Sequence, residues 1–194
     1  MLLKIVVGFI AIALGLAQSL SSPLSIGEKT PDFTLKIAGR DSSISLYQEI
    51  KKYKYTVLMF ISTRCPYCQG FNTRKTSIAK NFIPRGIQFI GINSNSTEDE
   101  SEVVSHAQRN KFPFETVKDH QNRVADLYGA ERTPEIFILD PQGILKYHGR
   151  IDENYTDETS VQSPDLINAL NELLSGKDVS RKETKAFGCT IKRI

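Results

Sequence analysis

Tryptophan is absent from this chain, and cysteine and histidine occur only three times each. Three cysteines are too few for a disulfide-stapled miniprotein, and an odd number leaves one thiol over if the other two pair. The histidines at 106, 120 and 148 stand far apart in the sequence, with none of the paired spacing that structural zinc sites use. Charge of one sign is also scarce. The 25 basic and 22 acidic residues leave a formal net charge of +3, which argues against a nucleic-acid protein driven by phosphate neutralisation. The basic residues near the end, Arg181, Lys182, Lys185, Lys192 and Arg193, are mixed with Glu183 and apolar groups and read as a solvated tail. What is present suffices for a core: 40% of the 194 residues are hydrophobic, a length and composition suited to one folded domain with a tail.

The single long apolar run is at the start. Lys4 precedes Ile5 to Leu16, a stretch that at 1.5 Å per residue falls short of a ~30 Å hydrocarbon core. Small residues follow, with Gly15 and Ala17 spaced as a signal peptidase requires and Ala17 and Ser19 as a second option. Residues 1–17 are therefore expected to be a cleaved secretory signal, with an uncleaved N-terminal membrane anchor as the alternative. No cysteine follows the run to carry a lipid. Export, periplasmic or secreted, would put the cysteines where disulfides persist. The expected organisation is a signal at 1–17, a linker at 18–30, a folded domain at 31–176 and a tail at 177–194.

Strand and helix patterns alternate through the body. Tyr55 to Ser62 and Ile87 to Asn93 are continuous apolar runs, the signature of strands buried on both faces. Pro66 to Phe82 reads as one helix with proline in its first turn, broken by Pro84-Arg85-Gly86. Thr97 to Asn110 reads as a helix whose first turn carries Glu98, Asp99 and Glu100. Shorter elements are expected at 43–46 (strand), 46–52 (helix), 114–117 (strand) and 122–128 (helix). Glu135 to Leu139 and Ile144 to His148 flank the turn Asp140-Pro141-Gln142-Gly143, and Asp165 to Leu174 is a last amphipathic helix. The pattern predicts an α/β fold with a central mixed sheet covered by helices on both faces.

The chemistry concentrates at Cys65-Pro66-Tyr67-Cys68, between a buried strand and a helix start. A thiol at a helix N-terminus meets unpaired N–H groups and the positive end of the dipole, which favour the thiolate. Cys65 is expected to be an exposed nucleophile and Cys68, one turn on, its buried resolving partner. Arg64 would add to the effect if its side chain points at the sulfur. A purely structural disulfide here would close a very short loop and restrict the unfolded chain little. Zinc would need two further ligands that the spacing does not supply. No cofactor is expected.

Together with Thr133-Pro134 at the opening of an apolar strand, this motif resembles the thioredoxin superfamily. The resemblance implies that Pro134 is cis and that the Thr133 backbone pairs with a bound substrate chain. The segments Pro31 to Leu35, Gly91 to Asn95, Thr133 to Asp140 and Tyr147 to Asp152 are similar to the redoxin branch, the alkyl hydroperoxide reductase/thiol-specific antioxidant group. The ending Phe187-Gly188-Cys189-Thr190-Ile191-Lys192 is similar to the tail of a subset of these redoxins. The chain departs from the pattern at three places. Arg64 stands where thioredoxins carry tryptophan. Met59 stands where they often hold a buried acid, which leaves the proton acceptor for Cys68 open between Glu135 and water. Leu58 and Ser62 stand where peroxiredoxins require proline and threonine.

These residues point to an exported thiol–disulfide oxidoreductase working through Cys65 and Cys68, on disulfide- or dithiol-containing protein substrates and with a thiol or disulfide redox partner. Two alternatives stay open: a thiol peroxidase with Cys65 as the peroxidatic residue, and a copper-binding assembly factor using Cys65, Cys68 and His148. Cys189 is either an inert tail cysteine, a third redox thiol that attacks a Cys65 mixed disulfide, an intermolecular bridge or a metal ligand. Contact between sulfurs decides among these, and Gly188 before it permits a close backbone approach.

Overall fold

The run YTVLMF forms β3 (Tyr55–Phe60), and five of its six residues are buried, so it takes the middle of the sheet. The computed structural model describes residues 24–194; the expected signal at 1–17 and the first part of the expected linker lie outside the described residues. On one side β3 pairs in parallel with β4 (Ile87–Asn93), which pairs in parallel with β5 (Glu115–Lys118). On the other side it pairs antiparallel with β7 (Glu135–Leu139), which pairs antiparallel with β8 (Leu145–Gly149). The order β5-β4-β3-β7-β8 is a five-stranded mixed sheet. A small antiparallel pair, β1 (Thr34–Lys36) with β2 (Ser43–Ser45), lies ahead of it.

Strand alternation divides the core. Val57, Met59, Ile136 and Ile138 face one side and pack with Phe71, Ile78 and Phe82 of α3 (Asn72–Phe82) and its N-terminal junction. Leu166, Leu170 and Leu173 of α6 (Asp165–Leu174) complete that face. Leu58, Phe60, Phe137 and Leu139 face the other side, against Leu46 of α1 (Leu46–Glu49) and Val124, Ala125 and Tyr128 of α5 (Arg123–Tyr128). Helices thus cover both faces of a mixed sheet, the fold class expected from the pattern. Each fully buried large apolar side chain contributes about 1.5–3 kcal/mol.

Several expected boundaries are corrected. The helix expected over 66–82 is two helices, α2 (Pro66–Gly70) and α3, interrupted at Phe71 with φ −87° and ψ −2°. A Cβ on Gly70 would come within 2.4 Å of the Tyr155 carbonyl, so the chain passes closely there. The next long helix, α4 (Glu100–Arg109), begins later than Thr97: Asp99 is its N-cap, accepting from Glu102 N at 2.8 Å, and Glu98 turns inward instead. Residues 24–30 are not a linker. Gly27 N donates to Leu145 O and Thr30 N to Gly143 O, both at 2.9 Å, and Leu24 and Ile26 pack on the core. The tail at 177–194 is not a solvated appendage either. Val179 and Ile191 are buried, and residues 182–184 run beside β8 through His148 N to Lys182 O and Thr184 N to His148 O.

Candidate active site

The CxxC loop lies at the carboxyl ends of β3 and β4, where Cys65 is the N-cap of α2 with an extended backbone (φ −71°, ψ 120°) and Pro66 opens the helix. A buried acid shapes the loop. Glu98, 3% exposed, accepts from Ser62 Oγ at 2.5 Å, Thr63 N at 2.8 Å and Asn93 Nδ2 at 2.6 Å. Ser62 Oγ in turn accepts from Cys65 N at 3.0 Å and Arg64 N at 3.2 Å. Lys118, buried on β5, donates to Asn93 Oδ1 at 2.8 Å and Asn95 O at 2.6 Å, which ties the loop to the next two strands. Ser62 Oγ and the N–H groups of Thr63, Arg64 and Cys65 thereby each find an acceptor. The sequence pattern puts Glu98 in the first turn of a helix; its partners come from the ends of β3 and β4 and are invisible to helical periodicity.

The Cys65 thiol is pulled down to about 4, chiefly by a hydrogen bond from Cys68. Burial opposes this, while the Cys189 thiol and the backbone N–H groups of Cys68 and Cys189 add to it. Cys68 moves the other way, its thiol raised by complete burial. This is the asymmetry expected of a nucleophile and a partner one turn behind it. Two details differ from expectation. Cys65 is buried, 2% exposed, because the loop before β7 lies over it: its Sγ donates to Thr133 O at 3.1 Å. Arg64 does not point at the sulfur. It makes a bidentate pair with Glu102 of α4 at 2.9 and 2.7 Å on the surface, where such a pair contributes little.

The Thr133–Pro134 bond is cis. Thr133 belongs to β6 (Arg132–Thr133), whose antiparallel partner is β9 (Cys189–Thr190) of the chain's own C-terminal segment, with Thr133 opposite Cys189. Gly188 fits this approach: a Cβ there would lie 2.1 Å from Thr133 O. All three thiols are free, and Cys189, raised to about 11 chiefly by burial, belongs to the same cleft as Cys65.

Glu135 does not reach Cys68. Its carboxylate accepts from Glu131 N and Arg132 N, each at 2.8 Å, and lies 2.7 Å from His148 Nε2. It stands on the same face of β7 as Phe137, on which His148 stacks, whereas Cys65 and Cys68 pack with Ile136 and Ile138 on the opposite face. That parity also keeps His148 from joining the two cysteines around copper, and among the described residues no group of three or more His, Cys, Asp or Glu is placed to hold a metal ion. Ser62 does not offer peroxide a free hydroxyl, being engaged with Glu98 and Cys65 N.

The ionisable group beside Cys68 is Lys75, which sequence reasoning missed. It is 1% exposed, its Nζ finds no hydrogen-bond partner among the described residues, and it lies 5.2 Å from the centre of the Phe112 ring. Burial lowers its pKa, and the negative charge of Cys68 and Cys65 counters that. A signal was present: Phe71, Lys75, Ile78, Ala79 and Phe82 follow helical spacing, so Lys75 sits on the apolar face of α3. Next to it His106, read as part of a charged surface helix, is buried, held 3.2 Å from Asn72 Nδ2, and lowered to about 4 mainly by burial.

Known proteins of similar sequence and shape agree with this geometry. The thiol-disulfide oxidoreductase ResA of Geobacillus thermodenitrificans is 26% identical over 124 residues, 63% of this chain and 68% of that protein. The crystal structure of a hypothetical protein from Sinorhizobium meliloti aligns with a TM-score of 0.82 at 30% identity, covering 89% of this chain and 97% of that one. An uncharacterized conserved protein from Geobacillus kaustophilus aligns with a TM-score of 0.81 at 27% identity, covering 88% and 93%. Residues 26–148, well over half of the sequence, match the AhpC/TSA family, and with the CxxC loop and cis-proline in place the chain belongs to that family of thioredoxin-like redoxins.

Proposed function

We propose that this protein is an exported thiol–disulfide oxidoreductase acting on cysteines of other protein chains. The observation that carries the reading is the place of the Cys65 sulfur, at the N-cap of α2, one turn from Cys68 and 3.1 Å from the Thr133 carbonyl of the cis-proline loop, where the nearby donors favour its ionisation. The similarity to the thiol-disulfide oxidoreductase ResA supports it. The Cys65 thiolate attacks a substrate disulfide, one sulfur of which leaves as thiolate. Cys68 then attacks Cys65 Sγ, releases the second substrate sulfur and closes the Cys65–Cys68 disulfide. Substrate is reduced by two electrons and the protein oxidised by two; a thiol partner restores it. Lys75 takes the Cys68 proton in the resolving step, in place of the acid that Met59 replaces. Export rests on the N-terminal apolar run alone.

The test is exchange between purified protein and an oxidised peptide, followed by mass spectrometry. Wild-type protein is expected to reduce it and Cys65→Ser to be inactive, whereas full activity in Cys65→Ser would refute the reading. Peroxide consumed faster than disulfide would instead assign a peroxidase.

A further inference from the structure

The edge of Thr133 is already occupied. We propose that the segment Phe187–Ile191 is a tethered occupant of the position a substrate chain would take, and that its Cys189 exchanges disulfides with Cys65, so that the protein works with three thiols rather than two. The proposal rests on the oxidoreductase reading and adds an internal partner to it.

Four observations converge. Cys189 stands opposite Thr133 in an antiparallel pair, the register an incoming chain would need to bring its cysteine to Cys65. Cys65 and Cys189 line the same cleft, and the nearness of Cys189 helps to lower the Cys65 thiol. Gly188 lets the strand lie against Thr133 O, where any side chain would collide. Phe187 docks on the motif itself, its ring 5.9 Å from that of Tyr67 and perpendicular to it at 79°. Beyond the cysteine, Ile191 is buried, Ile191 N donates to Glu131 O at 2.9 Å, and Lys192 N to Asn95 Oδ1 at 2.8 Å. The strand is therefore fastened on both sides of Cys189, which shares its cleft with Cys65.

The step balances without an outside reagent. In the oxidised protein the Cys189 thiol loses its proton and attacks Cys65 Sγ. The Cys65–Cys189 bond forms, the Cys65–Cys68 bond breaks, and Cys68 leaves as a thiolate that takes up a proton. One disulfide replaces another and no net electrons move. When Cys65 instead carries a mixed disulfide with a small thiol, the same attack expels that thiol. An external protein chain must lift β9 from β6 before it can pair with Thr133.

Full-length Cys68→Ala protein treated with glutathione disulfide separates the outcomes. Attack of Cys65 first gives a Cys65–glutathione adduct. The proposal expects the adduct to collapse to an intramolecular Cys65–Cys189 disulfide, mapped by peptide mass spectrometry in a monomer two hydrogens lighter than the reduced chain. Collapse should be slowed about tenfold or more in Cys68→Ala/Gly188→Val, which dislodges the strand that holds the attacking thiol in place. In Cys68→Ala/Cys189→Ser the adduct should persist, a control that leaves the backbone of β9 untouched. A persistent Cys65–glutathione adduct with Cys189 free in the Cys68→Ala protein would overturn the proposal and leave the oxidoreductase reading standing. A Cys189 disulfide between two copies would also overturn it. Cys65 left a free thiol, in neither a glutathione adduct nor a disulfide with Cys189, would overturn both.

Discussion

At Cys65 burial and hydrogen bonding pull in opposite directions, and hydrogen bonding wins, because donors from Cys68 and Cys189 stabilise the thiolate more than burial penalises it. Ultraviolet thiolate absorbance of the reduced protein is thus expected to show one sulfur ionising near pH 4, far below the ordinary ~8.5. Cys68→Ala, which removes the strongest donor, should move that midpoint upward. The sign for stability follows: the folded value lies below the unfolded one, so the contribution of Cys65 is complete above the ordinary thiol pKa and is lost as pH falls through about 4. Lys75 makes the second residue-scale prediction. Burial favours the neutral Lys75 amine, whose donors have no partner among the described residues, so Lys75→Met is expected to raise stability by about 1–3 kcal/mol in urea unfolding. The same change should slow resolution by Cys68 about tenfold or more at neutral pH and shift its pH profile upward, while the initial attack of Cys65 is unchanged. A purely structural lysine would alter the first measurement and not the second.

Among the elements, the loop between β3 and α2 depends on a residue from the start of α4. Glu98 holds Ser62 and Thr63 from β3's end and Asn93 from β4's end, and through Ser62 it fixes Cys65 N. Glu98→Ala leaves these buried donors unmatched and is expected to cost about 1–3 kcal/mol for each that stays unpaired. Glu98→Gln, which keeps one acceptor oxygen, should cost clearly less, and chemical denaturation of the two variants checks the order. Tyr67 of α2 is held in a comparable way. Its ring lies 4.3 Å from that of Tyr155, whose loop is anchored by the buried pair Arg74–Asp152 and by Arg74 Nη1 donating to Asn154 O at 2.7 Å.

For the molecule as a whole, the C-terminal segment is structural as well as chemical. Val179 enters the core on the α6 side of the sheet and Ile191 the core on the α5 side, so the segment touches both layers. Deleting residues 177–194 removes both anchors, each contributing about 1.5–3 kcal/mol, along with the hydrogen bonds to Glu131, Asn95 and His148. Scanning calorimetry should show Tm lowered by about 10 °C or more, at about 2–4 °C per kcal/mol for a chain of this size. A change of only a degree or two would mean that the segment is a passive cover.

Local pattern was enough for the frame of this protein. Continuous apolar runs specify β3 and β4, proline beside a cysteine marks the start of α2, and Cys65, Cys68, Thr133 and Pro134 stand out because their chemistry depends on near neighbours along the chain. Period-two alternation even contained the reason Glu135 cannot serve Cys68, since it and Ile136 must face opposite sides of the sheet. What tertiary structure alone decided are contacts between residues far apart in sequence. The lysine beside Cys68 comes from α3, the acid that shapes its loop comes from the approach to α4, and the strand that covers Cys65 comes from the end of the chain. Composition read that end as a solvated tail because its charges outnumber its apolar groups. Two buried side chains and a glycine able to lie against a carbonyl, spread over a dozen residues, decide otherwise, and no local rule weighs them.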